Sequence, residues 1–436
     1  MKITHLLFFL LCFFVSYSEA LKTELGPVEI SVPYFLALAG LAFMLIGRLK
    51  GGVPLREWQL KVYTPAVVFF VAYIIISIIA LLSSQMDAAA YTADSLFRII
   101  EQAGRLFLSL CIMIFVSMVV RTEEVMTRGL KVVAVSAGFV GIYGIYQVLG
   151  TMWGFYRPLI PHTGAYGVIG GATRAIGMMQ EPSYLAGFLC FSIVTTAMLL
   201  VGDGLASGRF RVAVWLSLGL QGLCLILTTS TVGFIGMIMA ILAACFVLKG
   251  RPRRRLIPIL VVVAVLVTIP VVYIAARSNL MDKLIVATVD KPTHESANER
   301  TGFVKAAIGM FLDYPIIGVG PGMYDNFARD YAPEFSTARV LIPNNVYAEL
   351  LSETGLLGFI SFMVMLGGLF FKAVGKMRAF GRHNTLHAGL VITFVALAVE
   401  FMAYPTFKME FIWFLFGLSA AVISSPGVKH QVESEK

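Results

Sequence analysis

Long apolar runs dominate this chain, and the polar stretches between them are short. A bilayer core of ~30 Å needs about 20 apolar residues at 1.5 Å per residue, and fewer where aromatic or basic side chains anchor the ends. Twelve runs meet that need, near 3–17, 33–47, 62–82, 106–120, 130–149, 184–201, 212–227, 232–248, 256–276, 346–371, 387–404 and 410–425. They predict an all-α polytopic membrane protein of about 12 transmembrane helices, with 1–436 as a single membrane domain. The first run has a second reading. Lys2, the apolar stretch Leu6 to Val15 and the small-residue ending Ser18-Glu19-Ala20 also fit a cleavable signal peptide, which would leave eleven spans. Under either reading Ser31 starts outside.

Composition agrees with the pattern. The 436 residues are 58% hydrophobic and 14% charged with a mean hydropathy of +0.85, whereas soluble domains carry roughly a quarter charged residues. All five cysteines fall inside apolar runs, so they read as small buried hydrophobes and not as a disulfide framework. A net charge of +9 could serve a nucleic acid only if the basic residues gathered on one face with aromatic platforms between them. They are instead dealt out between apolar runs, and the strongest cluster, Lys249 to Arg255, sits between two of them as an anchor beside acidic lipid headgroups. Nucleic acid is excluded as a partner on that ground; membrane lipid is expected.

Charge also orients the chain, because cytoplasmic loops retain Lys and Arg. With the N-terminus inside, 21 of these residues lie inside and 13 outside. Seven of the 13 belong to the single loop 277–343, and long loops are translocated with little regard to charge. The same threading puts 19 of 25 acidic residues outside or at outer helix ends. Three outward segments then have character of their own. Residues 83–105 hold an amphipathic stretch, with Leu96, Phe97, Ile99, Ile100 and Ala103 opposed to Arg98, Glu101, Gln102 and Arg105, which reads as a helix lying on the outer surface. The other two are 151–183 and the long loop 277–345.

Candidate chemistry collects in the last two. The glycine-rich loop 151–183 ends Arg174-Ala-Ile-Gly177-Met-Met-Gln-Glu181-Pro182-Ser183, which sets an arginine and a carboxylate at a membrane mouth. Pro182 suits the first turn of the following helix and Glu181 its positive end, so a capped helix with a surface arginine is the plainer reading. In the long loop, Phe303, Ala307, Met310 and Phe311 recur at helical spacing, with Arg300 at the start of that helix. The cluster Gly318-Val-Gly320-Pro-Gly322 reads as a tight turn, since no Gly-Lys-Ser/Thr follows as in a phosphate loop. Next comes the densest polar group beside a span, Asn344-Asn345-Val-Tyr347-Ala-Glu349-Leu-Leu-Ser-Glu353-Thr-Gly355. Asn345, Glu349 and Glu353 are spaced to stack along one face of a helix. Carboxylates entering a membrane usually face a wet cavity or pair with a cation, here Arg174 or Arg300; the competing reading is a purely structural ion pair that docks the loop. His383 and His387 have no third ligand, and no metal site is expected. Ser230, at an outer turn, reads as a helix-end cap and not a nucleophile.

At these residues the chain resembles the O-antigen polymerase and O-antigen ligase superfamily of bacterial membrane glycosyltransferases. The pattern spans about 174–358: Arg174-x-x-Gly177 with Glu181-Pro-Ser183, Arg300 followed by Pro315-x-x-Gly318-x-Gly320, and Asn344-Asn345-x-Tyr347 leading to Glu353-x-Gly355-x-x-Gly358. The resemblance implies a GT-C-like fold in the bacterial inner membrane, with a periplasmic active face and an undecaprenyl-diphosphate-linked oligosaccharide as substrate. It implies transfer without metal or other cofactor, with Arg174 and Arg300 holding the charge of the leaving diphosphate. Glu181 and Glu349 are then the candidate bases, and Asn344 orients the acceptor. Asn345, Tyr347, Glu353 and Gly177 complete the substrate-binding set. The family commonly has His-Asn where this chain has Asn344-Asn345, and an Asn cannot carry a proton as His does. That departure favours a repeat-unit polymerase, for which a chain-length regulator is a fitting partner, over a ligase acting on lipid A core or protein. The family's Ser-Arg at the outer turn is also replaced, by Ser230-Thr231. A lipid-linked sugar transporter or flippase is the third reading; against it, polar groups gather at the outer mouth and not at mid-membrane.

Overall fold

The computed structural model describes residues 2–18, 22–25, 28–49, 57–83, 93–154, 168–169, 172–202, 208–250, 252–256, 259, 293–333, 341–379, 385–405 and 407–424. The first helices are α1 (Lys2–Phe14), α2 (Val32–Leu49), α3 (Glu57–Ser83), α4 (Ala93–Val119) and α5 (Glu123–Trp153). After them come α6 (Pro182–Val201), α7 (Gly208–Leu227), α8 (Thr231–Val247), α9 (Thr293–Asp313) and α10 (Tyr324–Tyr331). The chain closes on α11 (Val346–Ala379), α12 (Thr385–Glu400) and α13 (Glu410–Ser424). Two short antiparallel hairpins interrupt the helices: β1 (Lys22–Leu25) with β2 (Val28–Ser31), and β3 (Val168–Ile169) with β4 (Ala172–Thr173).

Among the described residues seven helices are long and apolar enough to cross a membrane, and four shorter apolar helices accompany them. The protein is therefore a polytopic, mostly helical membrane protein. The expected span 256–276 lies almost wholly outside the described residues.

Helix ends follow local chemistry. Thr122 accepts from the Val125 amide at the start of α5, Glu123 and Glu124 occupy its first turn, and Gly154 ends it in the left-handed conformation. Ser230 accepts from the Gly233 amide and caps α8, the role its position suggested. Pro182 opens α6, where a missing N–H costs nothing. Every residue of α6 is buried, which makes it the axis of the bundle: α5, α7, α8 and α12 pack around it. Such a helix, apolar on all sides, belongs inside. The outward faces of α3, α8 and α11 instead expose Val68, Ile75, Ile238, Phe371 and similar residues, as lipid contact requires.

Three sequence expectations change form here. The amphipathic stretch 94–105 and the span 106–120 are one continuous helix, α4, not a separate helix on the outer surface, and the polar side of its first half meets protein, Arg98 pairing with Asp325 and Gln102 accepting from Lys408. Arg300 lies seven residues past the start of α9, which begins at Thr293. Finally, the helix bearing Glu349 and Glu353 breaks at Gly355 (φ 58°, ψ −162°), in a region that is essentially glycine-only.

Candidate active site

The break in α11 explains the glycine motifs. With Gly355 non-helical, the Ser352 and Glu353 carbonyls lose their intrahelical partners and accept instead from the Val319 and Gly320 amides, both at 2.9 Å. In return the Leu356 and Leu357 amides donate to the Pro315 and Ile316 carbonyls at 2.9 and 3.1 Å. A β-carbon on Gly318 would overlap the backbone of Ser352 and Glu353, and one on Gly355 would overlap Ile316. Pro315-x-x-Gly318-x-Gly320 and Glu353-x-Gly355 are thus two halves of one backbone crossing. The expected tight turn is there, with left-handed glycines at 318, 320 and 322.

This crossing positions Glu353, whose Oε1 accepts from the Tyr324 amide at 3.3 Å. One helical turn earlier, Glu349 is 6% exposed. Both carboxylates line a cavity of about 330 Å³ walled by the first half of α4 (Arg98, Glu101, Gln102, Arg105), the entry to α6 (Gln180, Tyr184) and, before and at the start of α13, Pro405, Lys408, Met409 and Glu410. Gly322, Tyr324, Asp325 and residues 341–343, together with Ser18, Lys22 and Tyr34, complete the wall.

Lys408 is the centre of the charge arrangement. Its ammonium pairs with Glu349 Oε1 at 3.2 Å, donates to Gln102 Oε1 and reaches the Tyr73 hydroxyl at 3.5 Å, while Phe407 lies beneath it at 4.7 Å. Burial alone would depress this lysine; the Tyr73, Glu349 and Glu353 side chains outweigh it and hold the ammonium above the usual lysine range. Around the rim Arg98 meets Asp325 at 3.2 Å, Arg105 meets Glu101 at 3.4 Å, and Glu410 accepts from Ser31 at 2.6 Å. Asp325 also accepts from the Leu341 amide at 2.8 Å, tying both edges of the long loop's described residues to α4. Among the described residues Glu349 Oε2 is buried without a hydrogen-bond partner. That oxygen keeps its accepting capacity unused in a residue that lines the cavity.

The residues singled out from sequence divide. Glu349 and Glu353 line the cavity. Asn345 is a cap: its Oδ1 accepts from the Tyr347 and Ala348 amides at 2.9 and 3.1 Å, and its Nδ2 donates to the Met402 carbonyl at 3.1 Å. It thereby joins the start of α11, which carries Glu349, to the chain that carries Lys408. Asn344 takes a left-handed backbone (φ 49°), which Asn tolerates better than most residues. Tyr347 donates from its hydroxyl to the Ala398 carbonyl at 3.3 Å and meets Phe401 edge-on.

Arg174 is buried, with Nε donating to the Thr228 carbonyl at 2.9 Å, and is not among the lining residues. Glu181 accepts from Ser183 Oγ at 3.2 Å and stands one residue beyond the lining Gln180. Gly177, left-handed at φ 63°, is gripped by Gln147, whose Oε1 accepts from the Ile176 and Gly177 amides at 3.0 and 2.8 Å and whose Nε2 donates to the Gly177 carbonyl at 3.0 Å. Its place is in the backbone of the loop, not in the cavity. Arg300 falls on α9.

Sequence reasoning missed Lys408, Arg98, Arg105, Asp325 and Glu410 as cavity residues. Lys408 and Glu410 did carry a signal, being charged groups in a short turn between two apolar runs, where ionisable residues are functional by default.

Residues 212–363 match a family model described as O-antigen ligase. No curated protein matches the chain. The matched stretch runs from α7 into α11 and includes Arg300, Asn344, Glu349 and Glu353. The match covers about a third of the chain and supports the O-antigen polymerase and ligase superfamily that its motifs resemble.

Proposed function

We propose that the protein is a glycosyltransferase that polymerises undecaprenyl-diphosphate-linked repeat units at the periplasmic face of the bacterial inner membrane, for O-antigen, capsule or exopolysaccharide. The observation that carries this reading is Glu349 Oε2, buried without a partner at the wall of a cavity of about 330 Å³, which is within the range of small-molecule sites. All of the lining residues come from segments that the charge count assigns to the outside or from the outer ends of spans, which supports the periplasmic placement. Seven long and four shorter apolar helices support a GT-C-like frame of about twelve crossings.

In this reaction an acceptor sugar hydroxyl attacks the anomeric carbon of the lipid-linked glycan. The new carbon–oxygen bond forms as the bond to the diphosphate oxygen breaks, and the diphosphate leaves with the electron pair. Glu349 Oε2 accepts the hydroxyl proton as the bond forms. Glu353, held by backbone amides one turn away, orients the acceptor sugar. Charge developing on the diphosphate is met by fixed cations, so the donor's own leaving group does the work that a metal would otherwise assist. Arg174 and Arg300 are the cations named by the family pattern; Lys22, Arg98 and Arg105 are those that the fold brings to the cavity.

The family description favours a second reading, transfer of finished glycan to lipid A core or to protein by a ligase. Deletion separates the two when surface glycan is displayed on gels beside lipid-linked precursors. Loss of a polymerase leaves single repeats on the surface, whereas loss of a ligase leaves long polymer on the lipid carrier. Surface and secreted polysaccharide unchanged by the deletion would remove the glycan reading. At residue level, Glu349→Gln is expected to lower turnover by about 10²–10⁴-fold, with the protein still in the membrane.

A further inference from the structure

We infer that Lys408 is a positioning residue for the Glu349 carboxylate, fixing one oxygen in an ion pair so that the other is left to the substrate. The inference rests on the reading of Glu349 as the base. A lysine ammonium has three donors, and here all three are used: on Glu349 Oε1 at 3.2 Å, on Gln102 Oε1 and on the Tyr73 hydroxyl at 3.5 Å. The cation is therefore saturated by protein and acts through Glu349, not on the reacting atoms. Its ammonium lies over Phe407, whose ring centroid is 4.7 Å from Nζ, and its turn is fastened to the start of α11 by the Asn345 bond to Met402 and by the Val346 amide, which donates to the Phe401 carbonyl at 2.8 Å. Lys408 and Glu349 come from different helix ends, yet their relative position is set by backbone.

Charge requires such a partner. Among the described residues the titratable groups facing Glu349 are Tyr73 from α3, Tyr184 from α6, Glu353 from its own helix and Lys408 from the turn before α13. Lys408 alone among them is a cation, whereas Glu353 opposes a second negative charge. An opposite charge within ~4–6 Å favours the charged form of a buried carboxylate, and a second carboxylate disfavours it.

The test uses the full chain in native membranes, with lipid-linked repeat units extracted from a strain lacking the protein as the probe. Rates are normalised to membrane-inserted protein and measured across pH for Lys408→Met, Lys408→Arg, Glu349→Gln and the Lys408→Met/Glu349→Gln double variant. Lys408→Met should lower kcat about 10–100-fold at neutral pH with little change in KM and move the acid limb of the profile upward by about one unit or more. Lys408→Arg should recover part of both, and the double variant should be no slower than Glu349→Gln alone, because the two residues act as one unit. If Lys408→Met fails to accumulate, Lys408→Gln, which keeps a donor for Gln102 without the charge, takes its place in the same comparisons. A pH-independent loss, an unmoved acid limb, or losses that multiply in the double variant would each overturn the proposal. Glu349→Gln with full activity would instead remove the reading of Glu349 as base; an inactive Glu349→Gln beside an indifferent Lys408→Met removes only the role of Lys408.

Discussion

Gly318 lies so close against Glu353 that a β-carbon on the glycine would overlap the glutamate's backbone. Through that contact a loop motif and a helix motif, thirty-five residues apart in sequence, fix the direction of a carboxylate.

Gly318→Ala and Gly355→Ala are expected to destabilise the protein by at least about 2 kcal/mol each, from left-handed or glycine-only backbone plus steric overlap. Thermal melting in detergent measures the first effect, and loss of polymer in cells the second. A variant that melts and polymerises as the parent does would show that the crossing is not needed to aim Glu353.

Gln147 should prove as important as the glycine it serves. Truncation in Gln147→Ala strands the buried amides of Ile176 and Gly177, at about 1–3 kcal/mol for each unsatisfied group. The segment they brace leads directly to Gln180 and Tyr184 on the cavity wall, so activity should fall with stability. Hydrogen exchange at 176–184 would report the loosening.

Arg174→Ala and Arg300→Ala should both abolish polymer while the protein remains in the membrane. Normal polymer from both would end their assignment to the diphosphate. For Arg174 the lysine variant is informative too, since Lys has no counterpart of the Nε that donates to Thr228; Arg174→Lys should melt lower than the parent.

Acid should weaken the β1–β2 hairpin through Glu29. The hydrogen bond from Lys22 holds this carboxyl below the ordinary glutamate range, against partial burial. A group lowered in the folded state contributes stability that is fully present above its unfolded value, about 4.3, and that is lost as pH falls through the folded one. Melting curves of the parent and Glu29→Gln should therefore differ by a constant above about pH 5 and converge in more acid buffer. With Glu29 partly exposed the difference is small. A gap that persisted unchanged in acid would refute the ion pair's contribution.

Much of this was legible along the chain. Apolar run length gave the spans, because a bilayer imposes a length on any helix that crosses it. Helix period placed Glu349 and Glu353 on one face, and both line the cavity. Asn345 and Tyr347 were legible as part of a motif but not in their roles, since a side chain that caps a helix and one that binds a sugar use the same donors and acceptors. The first half of α4 was read as a helix lying on the outer surface because amphipathicity states that a helix has two faces and not what covers each.

The sequence by itself determined that this protein spans a membrane many times, which end of its helices carries the acids, and which superfamily its motifs resemble. Each of these rests on composition, period or spacing, which survive in one dimension. Only the tertiary structure decided that Lys408, fifty-nine residues beyond Glu349, is its partner, and that Arg98 and Arg105 from α4 face the same cavity. Ion pairing depends on distance in space, and in a helical bundle the neighbours across a cavity are set by which helix ends meet, a matter of packing that no local pattern encodes.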